Sequence, residues 1–132
     1  IHESRFTYPR HGLHEVIDLG QWWESTTGQP IPLGGIAARR DLGTQRLLQI
    51  ESALRDSVAF AHAQPDVVRQ YVAANAQEMD REVMDAHIAL YVNEFTSDYG
   101  PEGEAAIGDL LARAEASGIV PSIDHPLFAS AT

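Results

Sequence analysis

Six histidines supply the side chains of this sequence best suited to moving a proton near neutral pH. His2 is the first candidate. It stands beside Glu3 and close to Ser4 and Arg5. A neutral imidazole with an ordinary pKa of about 6.5 can take a proton from a reacting carbon or oxygen without help from a metal. The competing reading is a chain-end histidine that only faces water, as polar side chains mostly do.

His11 and His14 form an H-x-x-H pair with Glu15 and Asp18 nearby. Metal sites use such donors. Gly12 weakens any helix that would bring the two imidazoles onto one face, so two solvated side chains in a polar turn are the simpler expectation. His62, His87 and His125 stand alone in sequence; His87 reads as a core-edge side chain with a satisfied nitrogen.

Other residues could bind rather than react. Trp22 and Trp23 are adjacent and point about 100° apart on a helix, so one can be buried while the other is partly exposed. Pro32, Leu33, Gly34 and Gly35 could offer backbone amides and a small apolar wall to a ligand, or could be an ordinary crossing strand; the residues leave both open. Arg39 and Arg40 point to opposite faces if extended, and a surface ion pair is the default for either. Asn93 fits a cap at the end of a helix.

Composition narrows the chemistry. All nine basic residues are Arg, so a Schiff base has no lysine to form on. There is no Cys, which removes disulfides, thiolate nucleophiles and Cys-ligated metals from this chain. The net charge of −10 argues against a nucleic-acid partner, because phosphate binding needs a basic face. No run approaches the eighteen or so apolar residues of a membrane helix. With 132 residues, 44% of them apolar, the chain can form one modest domain. P-loop, G-x-G-x-x-G, G-x-S-x-G and H-E-x-x-H motifs do not occur.

The elements that must hold these residues fall into two stretches. Residues 1–43 are mixed and rich in Gly and Pro. Pro9 to Gly12 reads as a turn, Leu13 to Leu19 as a short strand around Val16 and Ile17, and Gly20 to Thr27 as a short helix closed by Gly28. Pro30 and Pro32 force extended backbone before them, and Leu33 to Ala38 follows as a strand whose paired glycines mark a bulge or a close approach. Residues 44–118 read as nearly continuous helix. Leu47, Ile50, Leu54, Val58 and Ala61 define one apolar face. Pro65 opens a second helix, with Val68, Tyr71 and Val72 inward. Asp80 caps a third, running to about Asn93, with Val83, Met84, His87, Ile88 and Tyr91 on its face. Pro101 opens a fourth, carrying Ile107, Leu110, Leu111 and Ala114 and ending at Gly118. Strands followed by helices predict an α/β class, here mostly helical with a few strands. So few strands need others to complete a sheet. The sequence opens on Ile1 rather than Met, and reads as a piece whose upstream partner is absent.

Taken in order, several segments resemble one family. They are Ile1-His2-Glu3-Ser4-Arg5-Phe6-Thr7-Tyr8, Val16-Ile17-Asp18-Leu19-Gly20-Gln21-Trp22-Trp23, Thr27-Gly28-Gln29-Pro30-Ile31-Pro32-Leu33-Gly34-Gly35-Ile36, Arg39-Arg40-Asp41-Leu42, and Tyr91-Val92-Asn93-Glu94-Phe95-Thr96 with Asp98-Tyr99-Gly100. Together they resemble the C-terminal half of the 1,4-dihydroxy-6-naphthoate synthases of the futalosine route to menaquinone. The pattern W-W-x4-G-x-P-x-P-L-G-G is the most specific part. The related chorismate dehydratases share a W…T-G-x-P pattern but carry more apolar residues in place of P-L-G-G.

The resemblance implies a fold similar to type II periplasmic binding proteins, with two α/β lobes, two crossing strands and the ligand in the cleft. It implies that residues 1–30 end the second lobe, while residues 31–132 contain a crossing strand and the helical return to the first lobe. It further implies a cytoplasmic lyase that splits cyclic dehypoxanthinyl futalosine into 1,4-dihydroxy-6-naphthoate and a sugar-derived fragment, with no cofactor and no metal. His2 then matches the family's general base, and Leu33 and Gly34 fall where the crossing strand faces substrate. The partner would be the missing N-terminal half or another copy of the chain, with no nucleic acid and no membrane, and this chain alone would be inactive. Three other readings stay open: a solute-binding lobe of the same fold without catalysis, the related chorismate dehydratase, and a helical interaction domain. A histidine in the cleft separates the first of these from the lyase, since a pure binder needs no base.

Overall fold

The structure, a computed structural model, describes residues 4–76 and 80–129. Its elements are α1 (Ser4–Thr7), a 3₁₀ turn (Tyr8–His11), α2 (Leu19–Thr27), a 3₁₀ turn (Arg40–Leu42), α3 (Thr44–Ala63), α4 (Pro65–Asn75), α5 (Arg81–Tyr91), α6 (Glu94–Ser97) and α7 (Gly100–Ala116). No strand occurs among the described residues. The mostly helical expectation holds; the few strands expected of this chain do not form among the described residues. Leu13 to Asp18 and Pro30 to Arg39 are irregular instead, and Leu19 already belongs to α2. A strand exists only as one side of a hydrogen-bonded ladder, and neither segment has a second strand beside it among the described residues.

The helix boundaries follow from local chemistry. Pro65 and Pro101 occupy first-turn positions of α4 and α7, where a missing N–H costs nothing. Gly28 and Gly118 take φ of 71° and 70°, a conformation that other residues adopt at a steric cost. After α7 the chain closes as a Schellman motif, with Ile119 N–H donating to the Ala114 carbonyl at 2.9 Å and Gly118 N–H to the Glu115 carbonyl at 2.8 Å. Asp80 caps α5 by accepting from the backbone N–H groups of Glu82 and Val83. The third helix stops at Tyr91, short of Asn93. Asn93 caps both helices: its Nδ2 donates to the Leu90 carbonyl in the last turn of α5 at 3.2 Å, while its Oδ1 accepts from Phe95 N–H at 3.0 Å and its own N–H donates to Thr96 Oγ1 at 3.1 Å at the start of α6.

The apolar faces match the sequence periodicity with one exception. Leu47, Ile50, Leu54, Val58 and Ala61 are half-buried along α3, as are Val68 and Val72 on α4. Tyr71 was expected inward but is exposed, since the α4 stripe is only as wide as the Val68–Val72 pair and the tyrosine lies off its edge. Full burial is scarce. Val83 on α5, 3% exposed, and Ala106 on α7, 2% exposed, are the buried hydrophobic side chains among the described residues.

By backbone proximity the chain divides into two compact units. One comprises residues 1–18 and 55–98, the other residues 19–54 and 99–132, so α3 gives its second half to the first and its first half to the second. In the first unit α1 lies on α5, where the Phe6 and His87 rings are 6.4 Å apart and His87 meets Tyr91 edge-on at 4.7 Å. Arg55 on α3 reaches the Ser97 carbonyl at the end of α6 at 3.4 Å. In the second unit Arg113 on α7 lies over the Trp23 ring of α2, 5.6 Å from its centroid, and the Tyr99 and Phe128 rings are 6.0 Å apart.

Candidate functional site

His2 lies outside the described residues. What is described is the segment that follows it and how that segment is tied down. Arg5 on α1 pairs with Asp18, whose carboxylate is 5% exposed. Arg10 in the next turn donates from Nη1 to Asp80 Oδ2 at 2.9 Å. Phe6 adds the ring contact to His87. A four-residue helix has no stability of its own. Two ion pairs and one aromatic contact therefore set where α1 sits in the first unit.

Leu33 and Gly34 belong to the second unit. The Leu33 side chain is exposed, and a β-carbon placed on Gly34 would meet nothing within 4 Å. That pair presents an open apolar step and bare backbone, which a ligand can approach closely. Gly35 differs: a β-carbon there would lie 3.2 Å from the Tyr99 hydroxyl oxygen. One glycine of the pair thus faces Tyr99, and the other faces open space.

The tryptophans divide as their spacing requires. Trp22 is half-exposed, whereas Trp23 is covered in part by Arg113, whose Nε also donates to Asp109 Oδ2 at 2.8 Å. Trp23 Nε1 is buried and has no hydrogen-bond partner. Arg39 pairs with Asp41 two residues on, the surface ion pair expected of it. His11 and His14 are exposed, and among the described residues no group of three His, Asp or Glu side chains gathers in a way that could hold a metal ion.

The structure clearly moves the titration of Asp80. The Arg10 hydrogen bond, helped by the Val83 N–H, holds its carboxyl below the ordinary carboxylate range. Two open depressions mark the surface: one of about 500 Å³ beside the first turn of α3, one of about 330 Å³ between α4 and α5. Neither includes a residue singled out from the sequence for chemistry. No helix among the described residues is long and apolar enough to cross a membrane.

Sequence reasoning missed Tyr99, Phe128 and Arg113 as partners of the Gly35 and Trp23 segments. The only available signal was Tyr99 within Asp98-Tyr99-Gly100, since contacts between residues over sixty positions apart leave no local pattern.

The sequence matches the menaquinone biosynthesis family over residues 1–116. It is 53% identical over 128 residues to a 1,4-dihydroxy-6-naphthoate synthase of Thermus thermophilus, covering 97% of this chain and 47% of that protein. It is 55% identical over 123 residues to the Streptomyces coelicolor enzyme of the same name, covering 93% of this chain and 44% of that protein. The chain thus spans somewhat under half the length of the curated relatives it matches.

Proposed function

The chain belongs to the menaquinone biosynthesis family, and on that premise we propose that it supplies the C-terminal half of a 1,4-dihydroxy-6-naphthoate synthase. The observation that carries this reading is identity above one half along nearly the whole chain to two enzymes of that name. The reaction is the lyase step in which cyclic dehypoxanthinyl futalosine gives 1,4-dihydroxy-6-naphthoate and a sugar-derived fragment. Formation of the aromatic ring system supplies much of the driving force. What the protein must add is a base at the right place and a cleft that holds the substrate against it.

In this reading His2 takes the proton. Glu3, its neighbour in sequence, is the partner proposed for its imidazole. Leu33 gives the aromatic part of the substrate an apolar wall, and Gly34 lets it approach the backbone. The fold is the two-lobe arrangement of type II periplasmic binding proteins. Residues 1–30 close the second lobe, and the stretch from residue 31 crosses back as a strand once the N-terminal half offers partners for its ladder. The exposure of Val16 (97%) and Ile36 (70%) supports such a partner, because apolar side chains of irregular segments gain most from being covered.

The test is turnover. The full-length protein is incubated with cyclic dehypoxanthinyl futalosine, and the dihydroxynaphthoate is followed by chromatography. Product formed at a catalytic rate supports the synthase. Tight binding of the compound without product would turn the reading into a solute-binding protein of the same fold.

A further inference from the structure

Tyr99 makes a contact that neither its type nor its neighbours in sequence explain. Its backbone is fixed at the start of α7, where its carbonyl accepts from Gly103 N–H at 3.0 Å. Its ring is held by Phe128 at a centroid distance of 6.0 Å and a tilt of 59°. With both ends of the side chain constrained, the hydroxyl lies against Gly35, so close that a β-carbon there would be 3.2 Å from the oxygen. Gly35 follows directly on Leu33 and Gly34, in a segment that has no helix or strand to fix its position. No ladder fixes this segment among the described residues, and the contact with Tyr99 is a close one.

We propose that Tyr99 is a positioning residue for substrate binding: its hydroxyl, seated on the bare α-carbon of Gly35, fixes how far the Leu33–Gly34 step stands from α7. The inference rests on the synthase reading, in which that step lines the substrate site. A β-carbon at 35 would crowd the tyrosine hydroxyl, so the step or the ring would have to give by a few tenths of an ångström. Gly34, where a β-carbon meets nothing within 4 Å, is left free for the ligand.

The experiment is a double-mutant cycle in the full-length enzyme, with Gly35→Ala, Tyr99→Phe and both together. An added methyl group in a tight contact displaces its surroundings, so Gly35→Ala should raise KM about tenfold with kcat within about twofold of wild type. Removing the hydroxyl makes room for that methyl. The double variant should therefore return KM to within about twofold of wild type, a strong departure from additivity. A general loss of stability would instead depress both parameters and lower the thermal melting midpoint of Gly35→Ala. If Gly35→Ala does not fold, Tyr99→Leu carries the test, with a KM about tenfold above wild type expected at nearly constant kcat. Effects on KM that simply multiply, or an unchanged KM in either test variant, would overturn the role of Tyr99 while leaving the synthase reading standing. A folded wild-type protein without turnover would overturn the synthase reading and this role with it.

Discussion

The Asp80 carboxylate does two jobs at once: Oδ1 caps α5 by accepting from Glu82 N–H at 3.0 Å, while Oδ2 receives the Arg10 guanidinium at 2.9 Å. One side chain therefore starts a helix and ties to it the turn that follows α1. The same helix carries His87, against which Phe6 rests, and Val83, one of the few buried side chains.

This arrangement predicts a specific acid response. The Asp80 carboxyl is held below its ordinary range by Arg10, so its contribution to stability is present above the unfolded-state pKa of about 3.9 and is lost as pH falls through the lower folded value. Asp80→Asn keeps a capping oxygen but cannot ionise. Thermal melts of the full-length protein should show a lower midpoint for this variant at neutral pH and a gap to wild type that closes toward pH 3. Asp80→Ala, which also loses the cap, should melt lower than Asp80→Asn at every pH. Parallel curves across the whole range would contradict the charged Arg10–Asp80 contact.

Trp23 predicts an asymmetry of another kind. Its ring lies under the Arg113 guanidinium, but its Nε1 is buried without a partner. An unsatisfied buried donor contributes nothing that a phenyl ring would lack. Trp23→Phe should shift unfolding free energy by less than about 1 kcal/mol, keeping most of the apolar contact. Trp23→Ala, which removes the ring and the cation–π contact together, should cost about 2 kcal/mol or more. Urea titrations of the full-length protein compare the two; equal losses would mean that the indole N–H is bonded after all.

Much of the helical framework was legible in the sequence, because prolines at first turns, glycines after last turns and an apolar stripe of period 3.6 act within a few residues of one another. Asp80, Pro65, Pro101, Gly28 and Gly118 all do what their types predict. The strands expected at Leu13–Leu19 and Leu33–Ala38 do not form among the described residues, because a strand is a property of two segments and the sequence shows one at a time. Asn93 ends α5 as expected and also starts α6: with only two residues between the helices, one side chain serves both, its Nδ2 on the Leu90 carbonyl and its Oδ1 on Phe95 N–H. At the candidate site the glycine pair stood out as a bulge or a ligand approach, and the contact that the structure shows there is instead an internal one, to Tyr99. Its partner Tyr99, sixty-four positions away from Gly35, was not readable from any local pattern. His2, the central candidate, lies outside the described residues.

Exposed apolar side chains lead to a prediction about assembly. Leu13, Val16, Ile17, Leu33 and Ile36 all stand on irregular segments with much of their surface open. The isolated chain should therefore self-associate or bind the N-terminal half added as a separate polypeptide, and should have no synthase activity until that half is present. Size-exclusion chromatography with light scattering, followed by an activity assay on the mixed halves, tests both parts. A stable, active monomer of this chain alone would contradict them.

The account turns on His2 as the base of a synthase, and the most direct measurement is steady-state kinetics of His2→Ala in the full-length enzyme with cyclic dehypoxanthinyl futalosine. Loss of a general base typically costs about 10²–10⁴-fold in rate. The account predicts that kcat falls by that order while KM changes little, and that His2→Asn, which cannot accept a proton near neutral pH, is similarly slow. A raised KM with kcat nearly unchanged would make His2 a binding residue, place the base elsewhere in the protein and contradict the mechanism.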